Sequence, residues 1–459
     1  MKNYFQVERF ILTLIFCWGM SMAAGCNSKP SGAGSNVLLI TIDTLRSDHL
    51  GCYQYNRNTS PNIDKFSEAG ALFKNAYCQM PTTGPSHASI FTSTYPRRHG
   101  VLKNGWALAP APSYQTLAEI LKKNGYKTGA VVSSFALDPS FGFSRGFDEY
   151  DAKFSAEGSS MGHDTDWEGL HFSGGFDQRA NVATEKAMHW IQMHEKEKFF
   201  LWMHYFDPHS PYVPPEPYAR EFLKDSTTPL DKIIAHYDGE ILFVDEQVGK
   251  LLDYIKEAGL DSKTLIIIMS DHGEGLGQHN WMEHGMYLYD EQTRIPLLMN
   301  LPGIIPEKTS LNSIVETIDI APTVLDILDI KKETHFMGKS LYSMILKPED
   351  SSDHIVFIER RRYETTNDLG VEVLGQKFAV RNGNLKYIWA PQEGTEELYN
   401  ILKDPGELLN VADGHPDVTE RMQNMIKRWE KEQESGQQKV IQTVDPETRK
   451  KLKSLGYVD

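Results

Sequence analysis

The sequence predicts an α/β protein with a mostly parallel β-sheet flanked by helices. Three observations favour this fold class. Strand-like patterns alternate with helix-like patterns from residue 36 to about residue 340. The strand patterns are apolar throughout, as expected when both faces of a sheet are covered. Acidic residues follow several of these strands, at the edge where open parallel sheets bind ligands.

The strand and helix patterns alternate in a regular order. The first strand is expected at 37–43, where β-branched residues end on an acid. The other predicted strands cover 128–132, 199–204 and 264–270. The spacing of apolar residues predicts helices over 62–69, 114–123, 180–194 and 237–257. This alternation indicates parallel strand pairing.

The pattern changes near residue 340. Strands are predicted over 354–359, 377–381 and 385–389, followed by one helix over 418–432. We therefore expect a main domain at 36–340 and a smaller C-terminal α+β subdomain at 341–459. The polar stretch 155–175 has the composition of a surface insertion.

Composition and charge exclude several classes of protein. The 459 residues are 40% hydrophobic and 24% charged, which is typical of a globular protein and not of coiled coils, disordered chains or multi-span membrane proteins. The formal net charge is −15. We expect no nucleic-acid partner, because binding phosphates requires a basic face.

The N-terminus has the features of an export signal. Residues 1–25 combine a weakly basic start with a short apolar run, which predicts a signal peptide. Small residues before Cys26 and a polar tether over 26–35 resemble a bacterial lipoprotein processing site, although Ala23 replaces the usual Leu. The alternative is ordinary signal cleavage. We expect an exported lipoprotein, anchored to a membrane through Cys26, in the periplasm or at the cell surface. Cys52 and Cys78 allow at most one disulfide.

Candidate metal ligands follow three of the predicted strands. A single Asp after a strand is most often a turn former or a helix cap. Three such positions, two of them accompanied by His, instead suggest a site for a divalent cation such as Zn²⁺, Mn²⁺ or Ca²⁺. The residues are Asp43, Asp207 with His209, and Asp271 with His272, and His284 lies just downstream.

A hydroxyl-rich loop precedes a predicted helix start. Pro85 suits the first turn of a helix, and Thr83 would lie near its N-cap, where free N–H groups favour an anion. The Thr83 hydroxyl can serve as a cap alone. Beside a metal ion it can instead act as a nucleophile.

Ten short strings occur along the chain, at 36–46, 59–64, 81–92, 95–96, 99–100, 270–274, 294–297, 319–323, 397–400 and 404–407. Together they resemble the sulfatase family of the alkaline phosphatase superfamily, over nearly all of the mature chain. The resemblance implies an alkaline-phosphatase/sulfatase-like fold and ester chemistry.

One motif departs from the family pattern. Sulfatases mature a Cys or Ser to formylglycine in Cys/Ser-x-Pro-Ser-Arg, but this chain has Thr83-Gly84-Pro85-Ser86-His87. Thr cannot become formylglycine, so we expect none. A sulfated Thr would also lack the elimination step that frees sulfate from formylglycine. Related phosphodiesterases and phosphoglycerol transferases use Thr at this position, so the resemblance favours phosphorus esters.

The resemblance implies a role for each site residue. It predicts one divalent metal, held by the set Asp43, Thr83, Asp271 and His272. Thr44 stands where sulfatases usually have a second Asp, which makes Zn²⁺ or Mn²⁺ as suitable as Ca²⁺. His209, His284 and Asn104 would contact the ester. His87, at the position of the motif Arg, would contact the anion or support Thr83. A second metal on Asp207, His209 and His284 is the alternative.

We therefore predict a metal-dependent hydrolase of phosphate or sulfate esters, with Thr83 as nucleophile and a small-molecule, glycan or lipid substrate. The alternatives are a phospho-group transferase of the same superfamily and a non-catalytic sulfatase-like binding protein. A serine hydrolase with Ser86 as nucleophile is a further alternative, weakened by the adjacent Pro85.

Overall fold

The computed structural model describes residues 29–108, 114–154, 159, 164–167, 170–173, 176–350, 352–366, 370 and 372–434. The predicted signal peptide, Cys26 and much of the 155–175 insertion lie outside the described residues. The described residues from Gly32 onward form one compact unit. Among the described helices, none has the length and apolarity needed to cross a membrane.

The described strands and helices are numbered in chain order. The strands are β1 (Asn36–Ile42), β2 (Ala71–Tyr77), β3 (Lys127–Val131), β4 (Glu149–Asp151), β5 (Asp164–Trp167), β6 (Leu170–Ser173), β7 (Phe199–Tyr205), β8 (Thr264–Ser270), β9 (Gly275–Leu276), β10 (Met282–Glu283), β11 (Arg294–Asn300), β12 (Thr309–Glu316), β13 (Val356–Thr366), β14 (Glu372–Asn382), β15 (Leu385–Ala390) and β16 (Thr395–Asn400). The α-helices are α1 (Pro61–Glu68), α2 (Thr83–Thr92), α3 (Pro96–His99), α4 (Leu117–Lys123), α5 (Ala180–His194), α6 (Tyr218–Glu221), α7 (Pro229–Glu257), α8 (Asp290–Thr293), α9 (Ile320–Ile327), α10 (Tyr342–Leu346) and α11 (Pro416–Glu434).

An eight-stranded sheet in the order β12-β2-β11-β8-β1-β7-β3-β4 forms the centre of the main domain. Only β11 runs antiparallel to its neighbours, β2 and β8. The other neighbouring pairs are parallel. The prediction of a mostly parallel sheet is therefore confirmed.

Strand β1 shows why the predicted strands lack polar alternation. All of its residues are buried. Val37 and Leu39 pack into one hydrophobic cluster with α2, α4 and α9, whereas Leu38 and Ile40 pack into another with α5 and α7. Both faces of the sheet are therefore covered by helices.

The reversed strand β11 keeps the connection from β8 at one edge of the sheet. β8 ends at the carboxyl edge of the sheet, and β11 starts at that same edge because it is antiparallel. The connection over 271–293 therefore leaves the edge and returns to it without crossing the sheet. This connection carries Asp271, His272 and His284.

Some elements differ from their predictions. Helix α7 starts at Pro229, ahead of the predicted 237, because Thr228 and Asp231 form a reciprocal capping box. Strands β2, β11 and β12 were not predicted. β2 contains Lys and Asn, β11 contains a Pro, and β12 alternates buried with exposed residues over its first half. Their patterns do not match the uniformly apolar runs of the central strands.

The C-terminal part contains an antiparallel sheet in the order β13-β14-β15-β16. Helix α11 packs on it, with Met422 and Ile426 in one cluster with Phe378 and Tyr387. This confirms the predicted α+β subdomain. Strand β13 continues to Thr366, well past the predicted end at 359.

A buried ion network joins this sheet to the main domain. The Lys386 ammonium on β15 is fully buried, 2.7 Å from Asp290 Oδ1 and 2.9 Å from Glu407 Oε1. The backbone N–H of Asp290 also donates to Glu407 Oε2. Burial raises the pKa of the Glu407 carboxyl to about 8. Lys386 is therefore the buried cation that Asp290 and Glu407 share.

We expect Lys386→Met to lower the free energy of unfolding by about 3 kcal/mol, because it leaves buried carboxylates without a cation. Urea denaturation checks this, with Lys403→Met at an exposed position as the matched control. An unchanged midpoint in Lys386→Met would show that the network is not a stabilising contact.

Candidate active site

Two adjacent strands bring carboxylates to one point at the carboxyl edge of the sheet. Asp43 follows β1 and Asp271 follows β8, and the two strands are paired. His272 Nε2 lies 3.6 Å from Asp43 Oδ1 and 3.5 Å from Asp271 Oδ2. The candidate ligand atoms of these three buried residues all lie within 4.8 Å of one another. The structure thus assembles three of the four ligands implied by the sequence.

The chemistry of this group fits a divalent cation. Both carboxylate oxygens of Asp43 and Oδ2 of Asp271 are buried without a hydrogen-bond partner among the described residues. Burial raises the pKa of Asp43, and it raises the pKa of Asp271 to about 7. Buried carboxylates this close are costly unless a cation neutralises them. We take the unpartnered oxygens as the observation that favours metal binding.

His272 is oriented as a metal ligand should be. Its Nδ1–H donates to the carbonyl of Gly273 at 2.9 Å, which leaves the Nε2 lone pair facing the two carboxylates. Burial lowers the pKa of this imidazole to about 4, so the ring is neutral and able to coordinate a cation.

Thr83 is the first residue of α2, and its side chain does not cap the helix. Thr82 holds the N-cap position, and no side-chain capping bond forms there. The Thr83 hydroxyl lies 3.4 Å from His272 Nε2 and is almost fully buried. The interpretation of this hydroxyl as a helix cap alone therefore does not fit the structure. The hydroxyl belongs to the cluster at the sheet edge.

The two residues after Pro85 bind backbone carbonyl groups of the site. Ser86 donates its hydroxyl to the Asp271 carbonyl at 2.7 Å and is fully buried. His87 Nδ1–H donates to the Thr83 carbonyl at 2.8 Å, and its Nε2 accepts from the Thr41 hydroxyl at 3.1 Å. Burial lowers the pKa of His87 to about 3. His87 therefore supports the Thr83 backbone as a neutral ring, and Ser86 is not placed as a nucleophile.

His209 and His284 lie next to the ligand cluster. The ring of His284 is 4.4 Å from that of His272 and 5.2 Å from that of His209, measured between centroids. Nδ1 of His284 contacts Glu274 Oε1 at 3.2 Å, and Nδ1–H of His209 donates to the Ser210 carbonyl. Burial lowers the pKa of both rings, that of His284 to about 4.

Asn104 contacts the residue that follows Thr83. Its Oδ1 accepts from the N–H of Gly84 at 2.8 Å, so its amide group remains as a donor. Asn104 therefore lies beside the start of α2, and His284 and His209 connect to the ligand cluster through the ring of His272.

The predicted alternative of a second metal is not supported by Asp207. Its Oδ1 lies 3.0 Å from Arg179 Nη1, and its Oδ2 accepts from the N–H of Ala180 at 2.7 Å. This carboxylate pairs with Arg179 and caps α5. It is therefore not available as a ligand beside His209 and His284.

Two buried residues of the site could not be recognised from the sequence. His204, in β7, accepts from the N–H of Ser133, and its Nε2 lies 3.6 Å from Asp43 Oδ2. Glu274 is fully buried, and burial raises its pKa to about 7. The signal for His204 was an imidazole in an otherwise apolar strand. Glu274 lies within the string Asp271 to Glu274 and was read only as part of that motif.

Comparison with known proteins decides the family. The model of the sulfatase family matches residues 35–330. The chain belongs to the sulfatase family. A second model, for the C-terminal part of N-sulphoglucosamine sulphohydrolase, matches residues 277–435 of this sulfatase-family chain.

Individual relatives agree in sequence and in fold. A sulfatase of Formosa agariphila is 26% identical over 446 residues, covering 82% of this chain and 83% of the relative. A solved structure in complex with its substrate D-glucosamine-2-N,6-O-disulfate has a TM-score of 0.72 at 20% identity, over 87% of this chain and 98% of that chain. The phosphonate monoester hydrolase of Agrobacterium radiobacter has a TM-score of 0.71 at 21% identity, over 87% and 96%. This sulfatase-family member therefore has the family fold.

Proposed function

We propose that this protein is a metal-dependent ester hydrolase that uses Thr83 as its nucleophile and prefers phosphorus esters. The placement of the Thr83 hydroxyl carries this proposal. It lies at a helix start without capping the helix, 3.4 Å from His272 Nε2 and next to carboxylate oxygens that have no described partner. A nucleophilic hydroxyl beside a metal site has this arrangement.

Asp43, Asp271, His272 and Thr83 would hold the cation. The set combines carboxylate, imidazole and hydroxyl groups, which suits Zn²⁺ or Mn²⁺ as well as Ca²⁺. Thr44 offers a hydroxyl where a further carboxylate is usual in the family, and that hydroxyl is buried without a described partner. When bound, the metal supplies a positive charge that lowers the pKa of the nucleophile and neutralises an ester oxygen.

The chain's own residues would carry out two transfers of the phosphoryl group, first to Thr83 and then to water. Thr83 Oγ1 attacks phosphorus, the bond to the leaving oxygen breaks, and the alcohol departs with a proton. Water then attacks the phosphorus of phospho-Thr83, the bond to Oγ1 breaks, and the hydroxyl is restored. His284 and His209 lie where they can exchange these protons, and the Asn104 amide can donate to a non-bridging oxygen.

The support for phosphorus over sulfur comes from the chemistry of Thr. A formylglycine hydrate releases sulfate by elimination to the aldehyde, whereas Thr83 has no such step and depends on attack by water. The phosphonate monoester hydrolase named above shares the fold. A sulfated sugar is the substrate in another structure of the same fold, so glycan esters remain within the proposed range, together with small-molecule and lipid esters.

The proposal includes the location of the protein. We propose an exported lipoprotein held at a membrane through Cys26, in the periplasm or at the cell surface. The support is the sequence pattern alone, in which small residues precede Cys26 and a polar tether follows it.

Turnover of matched aryl sulfate, aryl phosphate and diaryl phosphodiester substrates by metal-loaded protein tests the proposal. We expect kcat/KM for at least one phosphorus ester to exceed that for the sulfate by about 100-fold, equivalent to about 2.7 kcal/mol. Preference for the sulfate would refute the assignment to phosphorus. Adding an acceptor alcohol distinguishes a transferase, which would form a new ester instead of free phosphate. Metal binding without turnover of any ester would favour the non-catalytic alternative.

A further inference from the structure

Strand β13 carries three consecutive arginines, Arg360 to Arg362, in a protein with a net charge of −15. Their environments differ. Arg360 is buried and pairs with Glu393 at 2.9 Å, and Arg362 is exposed and pairs with Glu364 at 2.6 Å. No described carboxylate lies within ion-pair distance of Arg361. Arg361 is therefore the cation of this group that remains available to a ligand.

The partner of Arg361 is an aromatic ring. Its guanidinium carbon lies 4.2 Å from the centroid of the Tyr363 ring. Such stacking restricts a long side chain and leaves the N–H groups at the edge of the guanidinium free to donate. The Tyr363 ring thus holds the charge of Arg361 in place.

Tyr363 connects this pair to the active site. A Cβ placed on Gly285 would lie 3.2 Å from the Tyr363 hydroxyl and 3.5 Å from Thr82 Oγ1. Gly285 follows His284, and Thr82 precedes Thr83. The Tyr363 hydroxyl therefore borders both loops that supply the proposed catalytic groups.

Strand β13 contacts the loop after His284 and pairs with β14. Arg360 donates to the carbonyl of Met286, in the loop that carries His284, at 3.1 Å. The pairing of β13 with β14 shifts register between Arg360 and Tyr363, opposite Lys377 and Gly375. A bulge of this kind redirects side chains and is common beside active sites. Because β13 is fixed to this loop, binding a ligand would cost little conformational entropy.

We propose that Arg361, backed by the Tyr363 ring, binds a second anionic group of the substrate, separate from the ester that reacts at Thr83. This inference rests on the proposed function and specifies the substrate class as an ester that carries a further anion. Carboxylate, sulfonate and sulfate groups all offer oxygens that a guanidinium can bind through two hydrogen bonds.

Three diaryl phosphodiesters with the same 4-nitrophenol leaving group test this inference. The second ring is phenyl, 3-carboxyphenyl or 3-sulfophenyl. We expect KM about tenfold lower for at least one anionic compound than for the phenyl compound, with kcat little changed. Comparison of the two anionic compounds shows which group the site prefers.

The variants separate Arg361 from general surface charge. Arg361→Gln should remove the preference, Arg361→Lys should keep part of it, and Arg362→Gln should keep all of it. A preference that survives Arg361→Gln, or that Arg362→Gln removes equally, would overturn the inference. So would the absence of any preference in the wild type.

Binding distinguishes failure of this inference from failure of the proposed function. Calorimetry on Thr83→Ala protein measures the affinity for the same compounds without consuming them. Arg361-dependent affinity in Thr83→Ala, together with a wild type that turns over none of the three compounds, would refute the hydrolase and retain the anion site. Turnover of all three compounds by the wild type, without a difference in KM or affinity between them, would retain the hydrolase and refute the anion site.

Discussion

Thr83→Ala should reduce kcat/KM for a phosphorus ester on the order of 10⁴-fold while the metal stays largely bound. The substitution removes the hydroxyl that we propose forms the covalent intermediate. Asp43, Asp271 and His272 remain as ligands, and water can fill the position of the hydroxyl. Steady-state kinetics and metal analysis of the same preparation check both parts.

Thr82→Ala provides the matched control, because Thr82 is the adjacent hydroxyl and makes no capping bond. We expect its kcat/KM to stay close to that of the wild type. Intact-mass analysis of wild-type protein, quenched with a slow phosphodiester, should show an adduct that digestion locates on the Thr83 peptide. Full activity in Thr83→Ala would eliminate the covalent mechanism.

Asp271→Asn should abolish metal-dependent stabilisation together with activity. A cation that binds only the folded protein, at about 1,000 times its Kd, stabilises that protein by about 4 kcal/mol. The variant loses a charged ligand and should show no rise in melting temperature when Zn²⁺, Mn²⁺ or Ca²⁺ is added. Asp48→Asn is the control, because that carboxylate pairs with Arg46 outside the cluster.

The metal-free proteins should also differ in their pH dependence. Burial raises the pKa of Asp271 to about 7 in the folded chain, above its value of about 4 when unfolded. The folded wild type therefore binds the extra proton, and its stability falls as pH rises from about 4 through 7. Asp271→Asn cannot ionise and should lose less stability over that range. Normal metal content in this variant would refute the assigned site.

Much of the fold could be predicted because the central strands are covered on both faces. Uniformly apolar runs identified β1, β7 and β8, and each is fully buried. The strands toward the β12 edge were missed because Lys74, Asn75 and Pro296 interrupt their patterns. The start of α7 was also misplaced, since it depends on a capping box ahead of the apolar spacing.

The site was predicted as far as strand ends and motif strings could identify it. The sequence could not show that Asp207 faces Arg179 instead of the metal cluster, because one Asp after a strand can serve either purpose. It also could not locate Arg361 beside the site. That position depends on how β13 docks against the loop after His284, and contacts between residues so distant in sequence leave no local pattern.

The antiparallel strand β11 has a consequence for how this enzyme can diversify. The segment 271–293 starts and ends on neighbouring strands at one edge, so its length can change without altering the order or register of the sheet. Asp271 and His272 at its start and His284 nearer its end lie at the candidate site, whereas residues 277–283 between them are half-buried or exposed. An exchange confined to 277–283 would change the surface beside the site and leave Asp271, His272 and His284 in the chain. The fold thus allows a variable loop to be built onto the candidate site without changes to the sheet beneath it.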